Sequence, residues 1–334
     1  MLRKSILLQI LLAPALQAAG DGVVLHQAAD TLRNIPSRLW TVVFSPDGGR
    51  LATTAGWDSP KEPGELTVWE VATRKRQWVW QQDSTVRCAA FSASGDRLAF
   101  GDFDGGVRVM DLASGRITLT LPKQVKLVNS VSFTPDGASL VTGGFDGSVR
   151  LHDASTGSRM AEYSMPDVGV TAVAIAPDGR HLVACTWPGT AVALDLPALK
   201  PVGDAVVTGK GIAEVLVFRP DGLVAFTGNW DGSVKQWDFG AGGLRNPVEL
   251  LKRKDSIQNL AMSPDGSTLA VADAFGDVVL WNLSAGRQEA VVDAHPDRCF
   301  GLAFSPDGRQ FATAGWDRKL RLWDTTTRER VADF

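Results

Sequence analysis

The chain has 334 residues, of which 44% are hydrophobic and 21% charged, and its formal net charge is −3 at pH 7. This composition is that of an ordinary globular protein with a large core, and the charge gives no reason to expect binding to nucleic acid. The three cysteines are an odd number without a closely spaced pair, which argues against a disulfide framework. We therefore expect Cys88, Cys185 and Cys299 to be buried free thiols.

The first 20 residues differ from the rest of the chain. Arg3 and Lys4 precede an apolar run from Ile6 to Leu16, and small residues follow at 18–20. This is the order of a secretory signal peptide, and about 11 apolar residues are too few to span a bilayer. We predict a signal peptide over 1–20 and an exported mature chain, periplasmic or secreted, without a transmembrane span. The alternative is an N-terminal helix that packs on the folded domain.

A repeating unit fills the remaining chain. Its clearest copy, Phe304 to Asp324, has an alternating segment that ends at Pro306-Asp307-Gly308, a short apolar strand and a third, alternating strand. A period near 40–45 residues with four short strands per unit indicates a β-propeller. We predict one all-β domain over 21–334, a seven-bladed β-propeller of four-stranded antiparallel blades. The turn glycine recurs at Gly48, Gly95, Gly137, Gly179, Gly222, Gly266 and Gly308.

Three motifs of this unit, Phe-Ser-Pro-Asp-Gly, Gly-Trp-Asp and Leu-Trp-Asp, resemble the repeats of the WD-repeat family. The resemblance covers about Trp40 to the C-terminus. It implies a hydrogen-bonded tetrad in each well-kept blade, made of a histidine, a Ser or Thr, the turn aspartate and the third-strand tryptophan. Only unit seven has all four, as His295, Thr313, Asp317 and Trp323.

Two other units have an incomplete tetrad without the histidine. Unit one has Thr54, Asp58 and Trp69, and unit five has Thr227, Asp231 and Trp237. We therefore expect most blades to be held together by packing and unit seven to be the stiffest.

Two arrangements can close the predicted ring. Arg328 to Phe334 have the spacing of Arg74 to Trp80, the outer strand of unit one, so the C-terminus can complete unit seven. In the other arrangement, Val23 to His26 supply the outer strand of the last blade and join it to the first. The spacing favours the C-terminal strand.

The sequence contains no recognisable catalytic, cofactor-binding or metal-binding constellation. Its four histidines fall in different units, no Gly-rich phosphate loop follows a strand, and no elbow motif holds a serine. We therefore predict a monomeric, non-enzymatic protein without cofactor or metal that binds a protein or peptide. The alternative is an enzyme or a carbohydrate-binding module that uses the mouth of the channel.

Aromatic residues recur just before the turn between the second and third strands. The family resemblance implies that this position lies on the top face, near the mouth of the central channel. Amphipathic rings there either pack between blades or anchor a partner. The position is occupied in six units by Trp57, Phe103, Phe145, Trp187, Trp230 and Trp316.

The family resemblance also implies that the residues flanking the first-strand aliphatic position lie near this mouth, and in three units they include an arginine. Units seven, one and two are consecutive in a closed ring, and we predict that they form a sector that binds an acidic or carboxylate-bearing peptide. Glu214 and Gln258 are expected on the opposite side of the channel. The alternatives are a solvated channel lining and arginines that pair with local aspartates such as Asp297. The predicted partner-binding residues, called the arginine-aromatic sector below, are Arg38, Trp40, Trp57, Arg87, Phe103, Arg298, Phe300 and Trp316.

Overall fold

A computed structural model describes residues 22–25, 37–59 and 61–334. The predicted signal peptide lies outside these residues. The described ranges form strands, turns and loops, and they contain no helix long and apolar enough to cross a membrane. The prediction of an all-β, seven-bladed β-propeller is confirmed, because the strands form seven antiparallel sheets in which, apart from the first strand of the chain, consecutive strands pair.

Blades one to four use the first seventeen strands. Blade one contains β1 (Gly22–Leu25), β2 (Arg38–Phe44), β3 (Arg50–Gly56), β4 (Gly64–Glu70) and β5 (Lys75–Gln82). Blade two contains β6 (Val86–Phe91), β7 (Arg97–Asp102), β8 (Val107–Asp111) and β9 (Ile117–Thr120). Blade three contains β10 (Val128–Phe133), β11 (Ser139–Gly144), β12 (Ser148–Asp153) and β13 (Arg159–Ser164). Blade four contains β14 (Gly169–Ile175), β15 (His181–Trp187), β16 (Thr190–Asp195) and β17 (Val206–Val207).

Blades five to seven use the remaining strands. Blade five contains β18 (Ala213–Phe218), β19 (Val224–Asn229), β20 (Ser233–Gly240) and β21 (Gly243–Lys252). Blade six contains β22 (Ile257–Met262), β23 (Thr268–Asp273), β24 (Asp277–Asn282) and β25 (Arg287–Asp293). Blade seven contains β26 (Cys299–Phe304), β27 (Gln310–Gly315), β28 (Leu320–Asp324) and β29 (Arg330–Asp333).

The core lies between neighbouring blades rather than within one of them. Second strands such as β27 are buried along almost their whole length, because sheets cover them on both faces. Between blades one and two, Trp78 and Trp80 pack in one cluster with Leu98 and Phe100. Burying a side chain such as Phe100 stabilises the fold by about 1.5–3 kcal/mol, so each blade depends on its neighbours.

The turn between the first and second strands follows from the Pro-Asp-Gly sequence. In blade seven, Ser305 Oγ donates to Asp307 Oδ1 at 2.6 Å and the Arg309 N–H donates to the same oxygen at 3.1 Å. Gly308 has φ of 71°, which favours glycine. The bonds from Ser305 and Arg309 lower the pKa of Asp307.

The C-terminal strand completes blade seven, as the spacing of residues 328–334 favours. Strand β29 pairs with β28, with Leu322 opposite Ala332. The N-terminal alternative is wrong, because β1 pairs instead with β5 and makes blade one five-stranded. The ring closes where β2 of blade one contacts β26 and β27 of blade seven.

Blade seven contains the four tetrad residues within one hydrogen-bond network. Trp323 Nε1 donates to Thr313 Oγ1 at 2.9 Å, and His295 Nε2 lies 2.9 Å from the same hydroxyl. His295 Nδ1 lies 2.8 Å from Asp317 Oδ1, and Arg321 donates to the other carboxylate oxygen at 2.7 Å. Burial alone would raise the pKa of Asp317, but the bond to His295 and the charge of Arg321 lower it.

The assignment of Thr54 to the tetrad position of blade one is wrong. Trp69 Nε1 donates to Thr53 Oγ1 at 2.9 Å, whereas Thr54 Oγ1 is buried and has no hydrogen-bond partner among the residues that the structure describes. The reason is one extra residue between the turn glycine and the tryptophan of unit one. Trp57 lies nine positions after Gly48, whereas Trp316 lies eight positions after Gly308. Trp57 and Asp58 therefore lie one position further from the turn glycine than the corresponding residues of unit seven, and counting back from them leads to Thr54 instead of Thr53.

Ion pairs occupy the place of the tetrad in three other blades, in addition to the packing that was expected to hold them. Arg108 lies 2.9 Å from Asp102 in blade two, and Arg150 lies 2.8 Å from Asp146 in blade three. In blade six, Asp273 is 2.8 Å from Arg253, which belongs to the segment that leaves blade five. Each arginine thus neutralises a carboxylate at the top end of a second strand, where an unpaired charge would be costly.

Candidate ligand-binding site at the channel mouth

Four aromatic side chains from blades seven, one and two form a cluster at the channel mouth. The Trp40 ring centroid is 5.0 Å from that of Phe300, 5.5 Å from Trp316 and 6.2 Å from Phe103. Phe300 and Trp316 stack at 5.2 Å with an interplanar angle of 17°. Such offset and edge contacts between rings stabilise the cluster beyond its burial, so it is a rigid apolar surface.

Two residues that were predicted to contact a partner are buried in this cluster. Trp40 is 4% exposed and donates its Nε1–H to the Gly56 carbonyl at 3.1 Å, and Phe300 is 6% exposed. Their partner-binding role stays a prediction, but little of either ring is accessible. They form the floor of the site because the first strands converge on the channel axis and the neighbouring rings cover them.

Two arginines at this mouth, one from blade one and one from blade seven, stack on the same aromatic ring. The Arg38 guanidinium carbon is 3.8 Å from the centroid of Trp316, and that of Arg298 is 5.1 Å from it. Arg38 is also 5.2 Å from the ring of Trp57. Within the described part of the chain, neither Arg38 nor Arg298 forms an ion pair, so their N–H groups remain available while the stacking positions them.

The aspartate beside Arg298 does not neutralise its side chain. Asp297 Oδ1 accepts a hydrogen bond from the backbone N–H of Arg298 at 2.8 Å, while the guanidinium lies over Trp316. The pairing of sector arginines with this local aspartate is thus not the arrangement in the structure.

Arg87 differs from the other two arginines because it is already paired. Its Nη2 lies 3.3 Å from Glu214 Oε1, and its guanidinium stacks on Trp40 at 4.6 Å. Glu214 lies on the opposite side of the channel, as expected, but its side chain reaches the basic sector, because blades two and five face each other and the channel is narrow enough for long side chains to meet across it. Trp230 Nε1 donates to the second carboxylate oxygen, Glu214 Oε2, at 3.0 Å.

Burial dominates the electrostatics of this cross-channel pair. It raises the pKa of Glu214, and the charges of Arg87 and Arg298 and the hydrogen bond from Trp230 oppose this shift without cancelling it. The repeat pattern predicts the positions of Arg87 and Glu214 in their blades but contains no signal that the two side chains meet.

The loop after β3 forms one wall beside the sector. Arg38, Trp57 and Asp58 line a cavity of about 360 Å³ with Ser59 and Glu62. Trp57 is 39% exposed, so its ring is accessible to a ligand. This loop therefore contributes to the same site as Arg38.

The remaining top-face aromatics lie elsewhere on the mouth. Phe145 and Trp187 contact each other, with centroids 5.3 Å apart, and line a cavity of about 630 Å³ with Lys126 and Asp167. Trp187 is 48% exposed. Blade six, where Ala274 interrupts the aromatic series, instead exposes Phe275, one residue later. The structure thus divides the predicted aromatic ring into separate groups.

The cysteines and other metal-ligating side chains do not form a site in the residues with assigned positions. No three His, Cys, Asp or Glu side chains among them come close enough to hold a metal ion. The three cysteines are free and buried, as expected. Burial raises the pKa of Cys88 and Cys185 to about 12, so neither thiol is activated as a nucleophile.

The fold and the repeated turns define this protein as a seven-bladed β-propeller built from one kind of repeat. The chain belongs to the WD-repeat family: the family described as WD domain, G-beta repeat matches residues 74–111, 115–153, 157–192, 207–238 and 286–324. These segments cover more than half of the chain. Each begins in or near the outer strand of one blade and ends in the third strand of the next.

Curated relatives share the repeats over part of their length. WD repeat-containing protein 1 of Bos taurus is 33% identical over 124 residues, which are 36% of this chain and 20% of that protein. Protein groucho of Drosophila melanogaster is 28% identical over 152 residues, 44% of this chain and 20% of that protein. Protein HIR1 of Yarrowia lipolytica is 29% identical over 135 residues, which are 36% of this chain and 13% of that protein. The matched part is thus a fifth or less of each relative.

Proposed function

We propose that this protein is a non-enzymatic scaffold that binds a protein or peptide on the top face of its propeller. The arginine-aromatic sector recognises an acidic or carboxylate-bearing group of that partner. The observation that carries the proposal is the stacking of Arg38 and Arg298 on Trp316, with neither arginine ion-paired within the described residues. Similarity to repeat proteins such as Protein groucho supports an interaction scaffold.

The physical basis is a fixed pair of donors on an apolar surface. Stacking restricts each guanidinium before binding, so less side-chain entropy is lost when a carboxylate accepts its hydrogen bonds. The rings of Trp316 and Trp57 exclude water from the contact, which strengthens charge-assisted hydrogen bonds. A flexible lysine on an exposed loop offers neither advantage.

A labelled acidic peptide tests this recognition. The probe is hexaglutamate with an N-terminal fluorescein and a free C-terminal carboxylate, and binding is measured by fluorescence polarisation at constant salt. The variant Arg38→Gln, Arg298→Gln should lose roughly 2–4 kcal/mol of binding free energy, because two charge-assisted contacts are removed.

A matched variant controls for net charge. Arg116→Gln, Arg309→Gln removes the same two charges from exposed positions away from the mouth, and its affinity should stay within about twofold of the wild type. An equal loss in both variants would show that the peptide responds only to overall charge and would contradict the proposed site.

We also propose that the chain is exported as a monomer, to the periplasm or outside the cell. The support is the charged, apolar and small-residue order of residues 1–20. Strand β1 begins at Gly22, directly after the expected cleavage site, so cleavage there would leave blade one intact.

A carbohydrate-binding module is the second candidate function. It is favoured by the exposed Trp187 ring beside Phe145, because flat, accessible rings can stack on sugar faces. Titration with cello- and chito-oligosaccharides, followed by tryptophan fluorescence, tests it. Binding that is lost in Trp187→Ala but kept in the Arg38→Gln, Arg298→Gln variant would favour this candidate over peptide recognition.

A further inference from the structure

We propose that Glu214 is an internal carboxylate ligand of the arginine-aromatic sector, and that an acidic group of the partner binds by displacing Glu214 from Arg87. This inference rests on the proposed function of the sector. Glu214 then competes with the ligand for Arg87, and the strength of this internal pair sets the affinity that a ligand needs.

The position of Glu214 shows that its side chain is not used to join neighbouring blades. At the equivalent position of β10, Asn129 Nδ2 donates to the Val170 carbonyl of the next blade at 2.9 Å, and in β14 the Thr171 hydroxyl donates to the Ala213 carbonyl. Glu214 instead extends across the channel from blade five to Arg87 of blade two. Its polar contacts are therefore with Arg87 of the sector and Trp230 of its own blade, and not with the adjacent blade's backbone.

The contact between Glu214 and Arg87 leaves room for a better ligand. One guanidinium nitrogen lies 3.3 Å from one carboxylate oxygen, which is longer than the 2.7–2.9 Å of a strong charge-assisted bond. A carboxylate that approaches the edge of a guanidinium in the bidentate geometry makes two shorter bonds. Arg87 remains stacked on Trp40 in either case, because the ring contact uses the face of the guanidinium.

The surroundings make the present pairing weak for a buried carboxylate. The side chains of Arg87 and Glu214 are 16% and 12% exposed, so both charges have lost most of their hydration. Burial raises the pKa of Glu214 even though Arg87, Trp230 and Arg298 favour its charged form. The carboxylate would regain hydration on leaving the channel, which offsets part of the cost of displacement.

Two buried side-chain atoms at the channel mouth have no hydrogen-bond partner among the described residues. They are Trp316 Nε1 and Gln258 Oε1. Trp316 supports Arg38 and Arg298, and Gln258 occupies in blade six the position that Glu214 occupies in blade five. Because nearly all buried polar atoms in proteins have a hydrogen-bond partner, these two atoms are expected to bond to water or to a ligand.

Displacement has two structural consequences. Arg87 changes its partner from Glu214 to the ligand, and the Trp230 indole loses the carboxylate that it contacts at 3.0 Å. Trp230 lies in blade five, across the channel from the arginines, so a change there reports the movement of Glu214 rather than ligand contact with Arg38 or Arg298.

The first experiment compares two carboxylate-to-amide variants with the same probe, fluorescein-labelled hexaglutamate. Glu214→Gln should bind the peptide about tenfold more tightly than the wild type, because the internal competitor has lost its charge. Glu65→Gln is the matched control: it changes the net charge equally, and Glu65 is bonded to Thr67 and Gln81 within blade one. Its affinity should stay within about twofold of the wild type.

The second measurement follows the indole N–H resonance of Trp230 while the wild-type protein binds the peptide. Nitrogen–proton correlation spectra resolve indole N–H groups, and a Trp230→Phe spectrum assigns the resonance of Trp230. Titration of the unlabelled peptide into the wild type should move that resonance towards its position in Glu214→Gln.

The outcomes separate this inference from the proposed function. If wild-type binding depends on Arg38 and Arg298, but Glu214→Gln is not tighter and the Trp230 resonance stays in place, displacement is overturned and the binding site stands. If neither the wild type nor Glu214→Gln binds the peptide, both are overturned. Tighter binding by Glu65→Gln to the same extent would attribute the effect to net charge and would also overturn displacement.

Discussion

Thr313 is the centre of the hydrogen-bond network in blade seven, and its hydroxyl is fully buried. It accepts the indole N–H of Trp323 at 2.9 Å and lies 2.9 Å from His295 Nε2. Thr313→Val keeps the shape of the side chain and removes only the hydroxyl. Two buried polar atoms then lose their partner.

The size of the effect follows from the number of atoms left unpaired. An unsatisfied buried polar group costs about 1–3 kcal/mol, so Thr313→Val, which leaves two of them, should lower the free energy of unfolding by about 2–6 kcal/mol. Thr227→Val in blade five leaves one atom unpaired, Trp237 Nε1, whose bond to Thr227 is 3.0 Å. Its cost should be about 1–3 kcal/mol.

Blade six offers the reverse substitution. Val271 occupies the threonine position of this blade. It lies two residues after Leu269, which is opposite Trp281, just as Thr313 lies two residues after Phe311, which is opposite Trp323. Trp281 Nε1 is buried and has no partner among the described residues. Val271→Thr should therefore supply an acceptor and stabilise the protein by about 0.5–1.5 kcal/mol.

Urea unfolding followed by circular dichroism measures all three variants. The midpoint should fall most for Thr313→Val, less for Thr227→Val, and rise for Val271→Thr, with the slope on urea unchanged. Equal losses for the two threonine variants would refute the reasoning, because the extra bond to His295 would then contribute nothing.

Three other predictions concern titration, reactivity and processing. Burial alone would raise the pKa of Asp231, but bonds from Ser233 and a backbone N–H, with the charge of Lys252, lower it from 3.8 to about 2. The ionised Asp231 therefore stabilises the protein above about pH 4, and this contribution is lost as the pH falls towards 2. In Asp231→Asn, the urea midpoint should change less between about pH 4 and pH 2 than in the wild type. The same change of midpoint in both proteins would contradict this prediction. A thiol reagent at pH 8 should label no cysteine of the folded protein and all three in denaturant, because burial raises the pKa of Cys88 and Cys185 to about 12. N-terminal sequencing of protein from the native host should find a first residue between 19 and 21, and a retained Met1 would refute export by a cleaved signal peptide.

The number of blades and the order of their strands could be predicted from sequence because both depend on local patterns. Each Pro-Asp-Gly turn is stabilised by bonds within about five residues, as between Ser305 and Asp307, and the alternation of apolar residues reports which face of a strand is buried. The register of Trp57 was also readable: counting from Gly48, rather than matching the Gly-Trp-Asp motif, places it one position later.

The candidate site was predictable only as a set of positions. Sequence order shows that blades seven, one and two are neighbours in a closed ring, which brings Arg38, Arg87 and Arg298 to one side of the mouth. It does not show that Trp40 and Phe300 are covered by other rings. Burial at that point depends on how closely the first strands approach the channel axis.

The contact between Arg87 and Glu214 was decided by the tertiary structure alone. The two residues are 127 positions apart and belong to blades on opposite sides of the ring. The repeat period gives the order of blades around the axis, but the width of the channel depends on the packing of all seven blades against one another. Because no local pattern encodes that width, the sequence could not show which side chains are long enough to meet across it.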